Sequence, residues 1–168
     1  MLEIRPAALS ELSLLPAIEA ESDAVFDDAG TGIRAVDLPP PATVAEFSEA
    51  LHIMVAGRPP VGFARVEEVD GQAHLEQLSV VPQWQGRGIG RALVDAALAW
   101  ARESGYHYVT LTTYADIAFN GPFYASCGFR PLAGDLGPEL ARIRDEEKLL
   151  GLDALGTRAA MVHDLQGA

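Results

Sequence analysis

The middle of the chain contains three runs of apolar and β-branched residues that are separated by turn residues. These runs, His52–Ala56, Val61–Val69 and Gln72–Val81, predict three strands. Asp70 and Gly71 lie between the last two runs, and an Asp-Gly pair tolerates the positive φ angles of a tight hairpin turn. The pattern therefore predicts an antiparallel meander.

Ahead of the meander, the chain first predicts a short strand and a helix. The strand covers Leu2–Arg5 and is stopped by Pro6. In the helix, Ser13 is the expected N-cap and Pro16 lies in the first turn, where its missing N–H costs little. The apolar positions of this helix are Leu14, Leu15, Ile18 and Val25.

Between that helix and the meander, polar residues predict a loop and a second helix. Residues 26–32 are rich in Asp and Gly and indicate a loop. Thr43 and Glu46 have the spacing of a capping box, which predicts a short helix that runs to about Ala50.

After the meander, the spacing of apolar residues becomes helical. The run Gly88–Ser104 places Ile89, Leu93, Ala97 and Trp100 on one helix face, and Gly105 can supply the left-handed end. Tyr108–Thr113 is rich in β-branched residues and follows a strand and a helix. It is therefore predicted to lie parallel to the Gln72–Val81 strand through a right-handed crossover.

The C-terminal part predicts two more helices and two more strands. They are the helices Pro122–Cys127 and Pro138–Leu150 and the strands Phe129–Leu132 and Ala159–Leu165. The second of these helices carries seven charged residues within its span, so it is expected to be a solvated surface element. The order of elements predicts an α/β chain with a mixed sheet, in a single domain that spans residues 1–168.

The composition is strongly acidic. The 168 residues include 24 acidic and 12 basic side chains, which gives a formal net charge of −12 and a pI near 4.6. A non-specific nucleic-acid binder needs Lys and Arg to neutralise phosphates. No nucleic-acid partner is therefore expected.

The sequence also argues against a disulfide-stabilised protein, a metalloprotein and a membrane protein. The one cysteine, Cys127, excludes an internal disulfide and fits a reducing compartment. The four histidines lie far apart without HExxH or CxxC spacing, so no metal site is expected. With no apolar run of about 18 residues and no signal pattern, the protein is expected in the cytoplasm without a membrane partner.

The segment from Leu78 to Leu93 carries the most chemistry, because a strand there runs into a glycine-rich turn and then a helix. Backbone N–H groups of such a turn, together with the positive end of the helix dipole, attract a pyrophosphate. A dinucleotide fingerprint that starts at Gly86 would need glycine where Arg91 stands, and a Walker loop would need a Gly-Lys pair, which the sequence lacks.

The spacing that remains is Gln85-x-x-Gly88-x-Gly90, directly after a strand that ends in Val-Pro. It resembles the acetyl-CoA signature of the GNAT superfamily of N-acetyltransferases. Phe123-Tyr124-Ala125-Ser126-Cys127-Gly128-Phe129 resembles the family's late Leu-Tyr-x-x-x-Gly-Phe element, and the resemblance extends from about Val61 to Leu132. It implies one GNAT domain with a three-layer α/β (α+β) fold. That fold has a mixed central sheet of about six or seven strands, splayed parallel fourth and fifth strands, and helices on both faces.

The resemblance also implies that acetyl-CoA is a cosubstrate bound by two segments. Main-chain N–H groups of residues 86–91 would surround the pyrophosphate, and the backbone of residues 78–80 would bind the pantetheine like an added strand. Arg87 and Arg91 either add charge or are simply exposed residues of a helix cap. The candidate coenzyme-binding residues are Leu78, Ser79, Val80, Gln85, Gly86, Arg87, Gly88, Ile89, Gly90, Arg91 and Asn120.

Asn120 enters this set because of a departure from the family pattern. Many relatives have asparagine seven residues before the tyrosine, where this chain has Ile117. Asn120 either takes over a coenzyme contact or caps the helix that starts at Pro122.

For catalysis, the resemblance implies that Tyr124 is the acid. A phenol of ordinary pKa about 10 is protonated at neutral pH and can donate to the coenzyme A thiolate. The alternative is a core tyrosine with a satisfied hydroxyl group. A backbone N–H near Leu78 would polarise the thioester carbonyl.

Glu76 is the candidate base, because burial on a central strand would raise the pKa of its carboxyl. It is equally consistent with an edge-facing or ion-paired side chain. Weaker candidates are Asp116, Glu21, Asp27 and Asp28. Cys127 has no base beside it in sequence and is interpreted as structural.

Two functions follow from these residues. The first is acetyl transfer from acetyl-CoA to a primary amine of a small molecule, peptide or protein, by direct attack in a ternary complex. The second is a non-catalytic acyl-CoA sensor or scaffold. The negative charge favours a cationic acceptor, the segments Glu19–Pro41 and Ala133–Thr157 are expected to select it, and a homodimer is an assembly frequent in the family.

Overall fold

The computed structural model describes residues 2–28 and 30–165, without the side chain of Asp28. The chain divides into two compact units. The first comprises the described residues up to Glu67 together with Leu75–Ala99, and the second comprises Glu68–His74 and the described residues from Trp100 onward.

The first unit holds the N-terminal elements and the start of the long helix. Its elements are β1 (Ile4–Pro6), a 3₁₀ helix at Leu9–Leu14, α1 (Leu15–Asp23), α2 (Val25–Asp28), a 3₁₀ helix at Ala35–Asp37, α3 (Val44–Ser48) and β2 (His52–Ala56). It also contains most of β3 (Gly62–Val69), the second half of β4 (Gln72–Val80), a 3₁₀ turn at Pro82–Trp84 and the first residues of α4 (Ile89–Glu103).

The second unit holds the hairpin between β3 and β4 and the C-terminal elements. These are β5 (Tyr108–Tyr114), α5 (Gly121–Ser126), β6 (Arg130–Pro131), α6 (Pro138–Leu149), α7 (Leu152–Leu155) and β7 (Arg158–Asp164). At the hairpin tip both Asp70 and Gly71 have positive φ, 53° and 74°. The predicted tight turn is therefore confirmed.

The seven strands form a mixed sheet in the order β1-β2-β3-β4-β5-β7-β6. β4 runs parallel to β5, with Ala73 opposite Val109 and His74 opposite Thr110. β5 is antiparallel to β7, and β7 is antiparallel to β6. The predicted mixed sheet with parallel fourth and fifth strands is confirmed, while the splaying of these strands stays a prediction.

Apolar side chains of β2, β3 and the first helices form the core of the first unit. The buried members are Leu12, Leu15, Ile18, Phe47, Ile53, Val55, Phe63 and Val81. The rings of Phe47 and Phe63 meet edge to face with centroids 5.2 Å apart. Phe47 is oriented by α3, whose N-cap Thr43 accepts the Glu46 N–H while Glu46 accepts the Thr43 N–H, so the predicted capping box is confirmed. α3 ends at Ser48, two residues before the predicted end.

Three predictions for the N-terminal segment were wrong in detail. Ser13 does not cap α1, because a 3₁₀ helix leads directly into it and Leu14 is the N-cap. Residues 26–28, predicted as loop, belong to α2, where the buried Phe26 continues the apolar pattern. Pro6 is the last residue of β1 and pairs with Met54, as an edge strand permits. The predicted loop residue 29 lies outside the described residues.

The charged helix α6 is solvated as expected at five of its seven charged side chains, and Glu147 is the exception. Its Glu147 is only 9% exposed. This carboxylate accepts hydrogen bonds from Thr112 Oγ1 at 2.6 Å, Arg158 Nη2 at 3.0 Å and Arg144 Nη1 at 2.5 Å. Burial alone would raise the pKa of Glu147, but the Arg158 charge and these hydrogen bonds hold it below its ordinary value. The charged pattern of α6 therefore includes a buried ionic network of the second unit.

No helix among residues 2–28 and 30–165 has the length and the apolar character needed to cross a membrane.

Candidate functional site

Ten of the eleven predicted coenzyme-binding residues, all except Asn120, lie on one continuous strand–turn–helix of the first unit. β4 ends at Val80, a 3₁₀ turn covers Pro82–Trp84, and α4 begins at Ile89. The first turn of α4 contains no acidic residue. Its N-terminal N–H groups, with the positive end of the helix dipole, are therefore suited to an anion.

The glycines of the turn are required by backbone conformation. Gly86 and Gly88 have φ angles of 74° and 83°, in the left-handed region that side chains disfavour. A Cβ atom at either position would meet nothing within 4 Å. The space beside both glycines is therefore open, as close approach of a phosphate to the backbone requires.

Two polar side chains of the turn have partners inside the protein. Gln85 Nε2 donates to the carbonyl of Val80 at 2.9 Å and thereby ties the turn to the end of β4. The Arg87 guanidinium carbon lies 4.9 Å from the ring centroid of Trp84, which is a cation–π contact. Arg87 is exposed and so is Arg91, so both charges lie at the surface near the start of α4.

The end of β4 is closely packed by its neighbour. Ser79 is 1% exposed, and a Cβ added at Gly62 would come within 2.8 Å of the Ser79 carbonyl oxygen. Only glycine at position 62 permits this approach. Val80 is buried and Leu78 is half-buried.

The structure contradicts the physical reason given for Glu76 as base. Its side chain is exposed, although the preceding residues His74 and Leu75 of β4 are both buried. The burial on which this prediction depended is therefore absent. Of the weaker candidates, Asp116, Glu21 and Asp27 are also exposed, and the side chain of Asp28 lies outside the described part of the chain.

A different carboxylate of the first unit has the expected properties. Glu19 of α1 is 8% exposed, and burial raises the pKa of its carboxyl to about 7. Asp23 lies one helical turn later, and burial raises its pKa to about 6. Sequence reasoning missed both, although Glu19 stands four residues after Leu15 and next to Ile18, within the buried stripe of α1.

In the second unit, Tyr124 lies on α5 between two aromatic rings. Its centroid is 5.2 Å from that of Phe123 and 5.9 Å from that of Phe129. Burial raises the pKa of the phenol, the neighbouring Cys127 raises it further, and the Arg158 charge opposes this. The hydroxyl forms no hydrogen bond to another described residue. The two interpretations of Tyr124, an acid and a core tyrosine, therefore both stay predictions.

Asn120 precedes α5 but does not cap it through its side chain. It occupies the N-cap position with φ −118° and ψ −108°, and its side chain accepts no N–H of the first turn. Tyr124 N–H instead donates to the Asn120 carbonyl oxygen at 2.9 Å. Of the two interpretations of Asn120, capping by the amide side chain is therefore wrong.

Among the residues that the structure describes, no group of three or more His, Cys, Asp or Glu side chains is arranged to hold a metal ion.

Comparison with known protein families finds a match that includes the glycine turn and Tyr124. The model of the acetyltransferase (GNAT) family matches residues 19–129, which is 111 of the 168 residues. The chain belongs to the GNAT acetyltransferase family. The matched region includes β4, the glycine turn, α4, and α5 with Tyr124.

Two solved GNAT structures have the same fold over nearly the whole chain. An acetyltransferase from Staphylococcus aureus Mu50 superposes with a TM-score of 0.70 at 16% identity, covering 99% of this chain and 100% of that one. The PaiA N-acetyltransferase from Thermoplasma acidophilum, in complex with coenzyme A, superposes with a TM-score of 0.66 at 16% identity, covering 98% and 99%. At these identities the likeness establishes the GNAT fold alone.

A curated relative is similar over a shorter region. The chain is 36% identical over 78 residues to aminoglycoside N(6′)-acetyltransferase type 1 from Stenotrophomonas maltophilia. The alignment covers 41% of this chain and 51% of that relative. The chain thus spans about half the length of this curated relative.

Proposed function

We propose that the protein transfers the acetyl group of acetyl-CoA to a primary amine by direct attack in a ternary complex. The observation that carries the proposal is the left-handed glycine turn between β4 and α4, in a chain of the GNAT family. No atom of the described residues lies within 4 Å of where a Cβ of residue 86 or 88 would be. This turn can therefore offer backbone N–H groups to a pyrophosphate at close range.

The coenzyme roles follow the motif residue by residue. Gly86, Gly88, Gly90 and their neighbours bind the pyrophosphate through main-chain N–H groups, and Arg87 and Arg91 add positive charge. Leu78, Ser79 and Val80 bind the pantetheine through their backbone, so that the burial of Ser79 and Val80 is compatible with the role. Gln85 acts by holding the turn against Val80, and Asn120 supplies a side-chain amide that no helix cap uses.

Tyr124 is proposed as the acid of the reaction. The amine attacks the thioester carbonyl carbon, the C–N bond forms and the C–S bond breaks. The thiolate that leaves takes a proton from a phenol. Burial keeps the pKa of Tyr124 above its ordinary value, so the hydroxyl is protonated throughout the physiological range and available as a donor.

The acceptor is proposed to be a cationic amine. The net charge of −12 favours the approach of cations. The curated relative acetylates aminoglycosides, as its name states. A polyamine, an aminoglycoside and a lysine side chain are the three acceptor chemistries to compare.

The proposal is tested by release of coenzyme A thiol from acetyl-CoA in the presence of spermidine, kanamycin or a lysine-containing peptide. We expect amine-dependent release by the wild type and a loss of about 10²-fold in Tyr124→Phe. Ser126→Ala, which removes an exposed hydroxyl from the same helix, is the matched control and retains the wild-type rate. Tight acetyl-CoA binding without release for any amine would instead favour the sensor or scaffold function.

We also propose three properties of the whole protein. They are that residues 1–168 form a single GNAT domain, that the protein is located in the cytoplasm, and that its partners are acetyl-CoA and an amine. Homodimerisation stays a prediction from the family, which size-exclusion chromatography with light scattering tests directly.

A further inference from the structure

Glu19 is a buried carboxylate whose charge the described residues do not compensate. It is 8% exposed and belongs to the stripe of α1 that also buries Leu15 and Ile18. One oxygen, Oε1, receives the Ala42 N–H at 3.4 Å, and no other hydrogen bond or ion pair reaches the side chain from the described residues. A buried carboxylate without a cation is costly.

Two of the charged neighbours of Glu19 are also carboxylates, so they add negative charge around it. Asp23 follows on α1 at i+4, and Glu76 faces it from β4, and both raise the pKa of Glu19 by repulsion. Arg65 of β3 attracts it, but the Arg65 guanidinium is engaged by Glu67 at 2.8 Å and lies beyond ion-pair distance of Glu19. Within residues 2–28 and 30–165, the side chain of Asp28 aside, the charges that act on Glu19 are thus two carboxylates and an arginine that Glu67 also contacts.

Another glutamate of this chain has nearly the same burial and the opposite environment. Glu147 is 9% exposed and is held by Arg158 and Arg144, with a hydrogen bond from Thr112 as well. A buried carboxylate of this protein can therefore have its charge neutralised by arginine side chains, as Glu147 does. Among the residues that the structure describes, no cation lies within ion-pair distance of Glu19, and a ligand with an ammonium group would supply one.

We propose that Glu19 is the general base of the reaction and that Asp23 and Glu76 hold the positive charge of a cationic acceptor beside it. This inference rests on the proposed function and deepens it. It also replaces the sequence-based assignment of Glu76 as base, because Glu76 is exposed and serves here as part of the acidic surroundings.

The proton balance of the step is as follows. The Glu19 carboxylate takes one proton from the acceptor ammonium, which leaves a neutral amine with a free electron pair. That pair attacks the thioester carbon, the C–N bond forms, the C–S bond breaks, and the sulfur takes the Tyr124 proton. The new amide nitrogen releases its second proton to water, and exchange with water returns Glu19 and Tyr124 to their starting states. In total the ammonium loses two protons, of which one ends on sulfur and one in solvent.

The acidity of Glu19 fits this role. A general base works best when its pKa lies near the operating pH, because it is then deprotonated and still basic. Burial and the two neighbouring carboxylates bring the pKa of Glu19 to about 7, whereas an exposed glutamate of ordinary pKa near 4.3 is a weak base.

The first experiment measures kcat/KM between pH 5 and 9 with whichever of spermidine, kanamycin and the lysine peptide supports turnover. In the wild type, activity is expected to fall as the pH drops below about 7. Glu19→Gln should lose about 10²-fold and should no longer show this fall. Asp23→Asn and Glu76→Gln should each stay within about tenfold of wild type and move the fall to lower pH, because each removes a repulsive charge.

The control is Glu49→Gln, an exposed carboxylate of the same unit, which should leave both the rate and the pH profile unchanged. A Glu19→Gln enzyme that keeps wild-type kcat/KM would overturn the inference. So would loss of the pH dependence in Glu76→Gln with Glu19→Gln unaffected, since Glu76 would then be the base.

A second readout does not depend on turnover. Carbon-13 NMR titration of labelled glutamate side chains follows Glu19 directly, with Glu19→Gln used to assign the signal. Each of the three amines is added in turn, and the acceptor is expected to lower the apparent pKa of Glu19. If no amine releases thiol, the proposed function fails. If no amine changes the Glu19 titration, the inference about Glu19 fails, whatever the activity.

Discussion

Replacing Glu19 by glutamine is expected to make the folded protein more stable at pH 8. The pKa of Glu19 rises from an ordinary 4.5 to about 7, first because of burial and then because of nearby carboxylates. Each pKa unit corresponds to about 1.4 kcal/mol, so the ionised side chain costs up to about 3 kcal/mol. Partial contact of the carboxylate with solvent lowers this to roughly 2 kcal/mol.

The pH dependence of this effect has a definite sign. The folded protein binds the Glu19 proton more tightly than the unfolded chain does, because its pKa is higher in the folded state. The contribution to stability is thus present in full below pH 4.5, is lost as the pH rises to about 7, and is absent at pH 8. Glutamine is neutral at every pH, so Glu19→Gln gains stability over wild type only where Glu19 is ionised.

Urea unfolding of both proteins at pH 4 and pH 8 measures this difference. We expect Glu19→Gln to gain about 2 to 3 kcal/mol at pH 8, or roughly 5 to 10 °C in Tm, and close to nothing at pH 4. Glu21→Gln, an exposed glutamate on the same helix, should stay within about 0.5 kcal/mol of wild type at both pH values. An equal effect of Glu19→Gln at pH 4 and pH 8, or destabilisation at pH 8, would refute the electrostatic argument.

Three other substitutions test separate parts of the molecule. Gly88→Ala places a side chain on a residue with φ 83°, so it should cost about 1 kcal/mol of stability and raise the KM for acetyl-CoA, measured by thiol release; an unchanged KM would argue against this turn as the coenzyme site. Arg158→Met leaves the buried Glu147 with Arg144 as its remaining cation, and urea unfolding should record a loss of about 1.5 to 3 kcal/mol; a loss under about 0.5 kcal/mol would contradict the network. Thr43→Ala removes the oxygen that accepts the Glu46 N–H and should cost about 1 kcal/mol in the same assay, whereas no change would mean that α3 does not depend on this cap.

The strands and the long helix could be predicted because their local patterns agree with their final burial. β2 has the predicted bounds His52–Ala56, and α4 differs from its predicted span by one residue at each end. Asp70 and Gly71 take the positive φ angles that an Asp-Gly pair accepts readily. At these places propensity, turn chemistry and packing all favour the same structure.

The errors arose where tertiary contacts decide. α2 forms in a segment whose aspartates and glycines favour a loop. Its Phe26 is buried, and this packing favours the helix over the loop. The capping position of α1 depends on the 3₁₀ helix before it, for which the sequence has no strong signal. The strand predicted over Phe129–Leu132 shrinks to Arg130–Pro131, because its length is set by pairing with β7.

The motif part of the candidate site could be predicted from spacing alone, but the carboxylates could not. Glycines in a turn have a fixed spacing because the backbone requires it. A base has no such constraint, since its acidity is set by burial and by charges that come from other elements. Glu76 lies in an apolar context in sequence and is exposed, whereas Glu19 is not among the sequence-based candidates and is buried. The sequence signal for the burial of Glu19 is its helical spacing of four residues from Leu15.

The two effects expected for Glu19→Gln have opposite directions, and this opposition is itself informative. The substitution should stabilise the folded protein at pH 8 and reduce acetyl transfer by about 10²-fold. The acidic excess of the chain does not explain such a residue, because ionised carboxylates at the surface carry little cost. A single substitution would remove the cost of burying Glu19, so its presence in the core stripe of α1 is expected only if activity depends on it. If Glu19→Gln instead stabilised the protein and kept full activity, burial of this charge would have no functional reason, and the base would have to be sought outside α1.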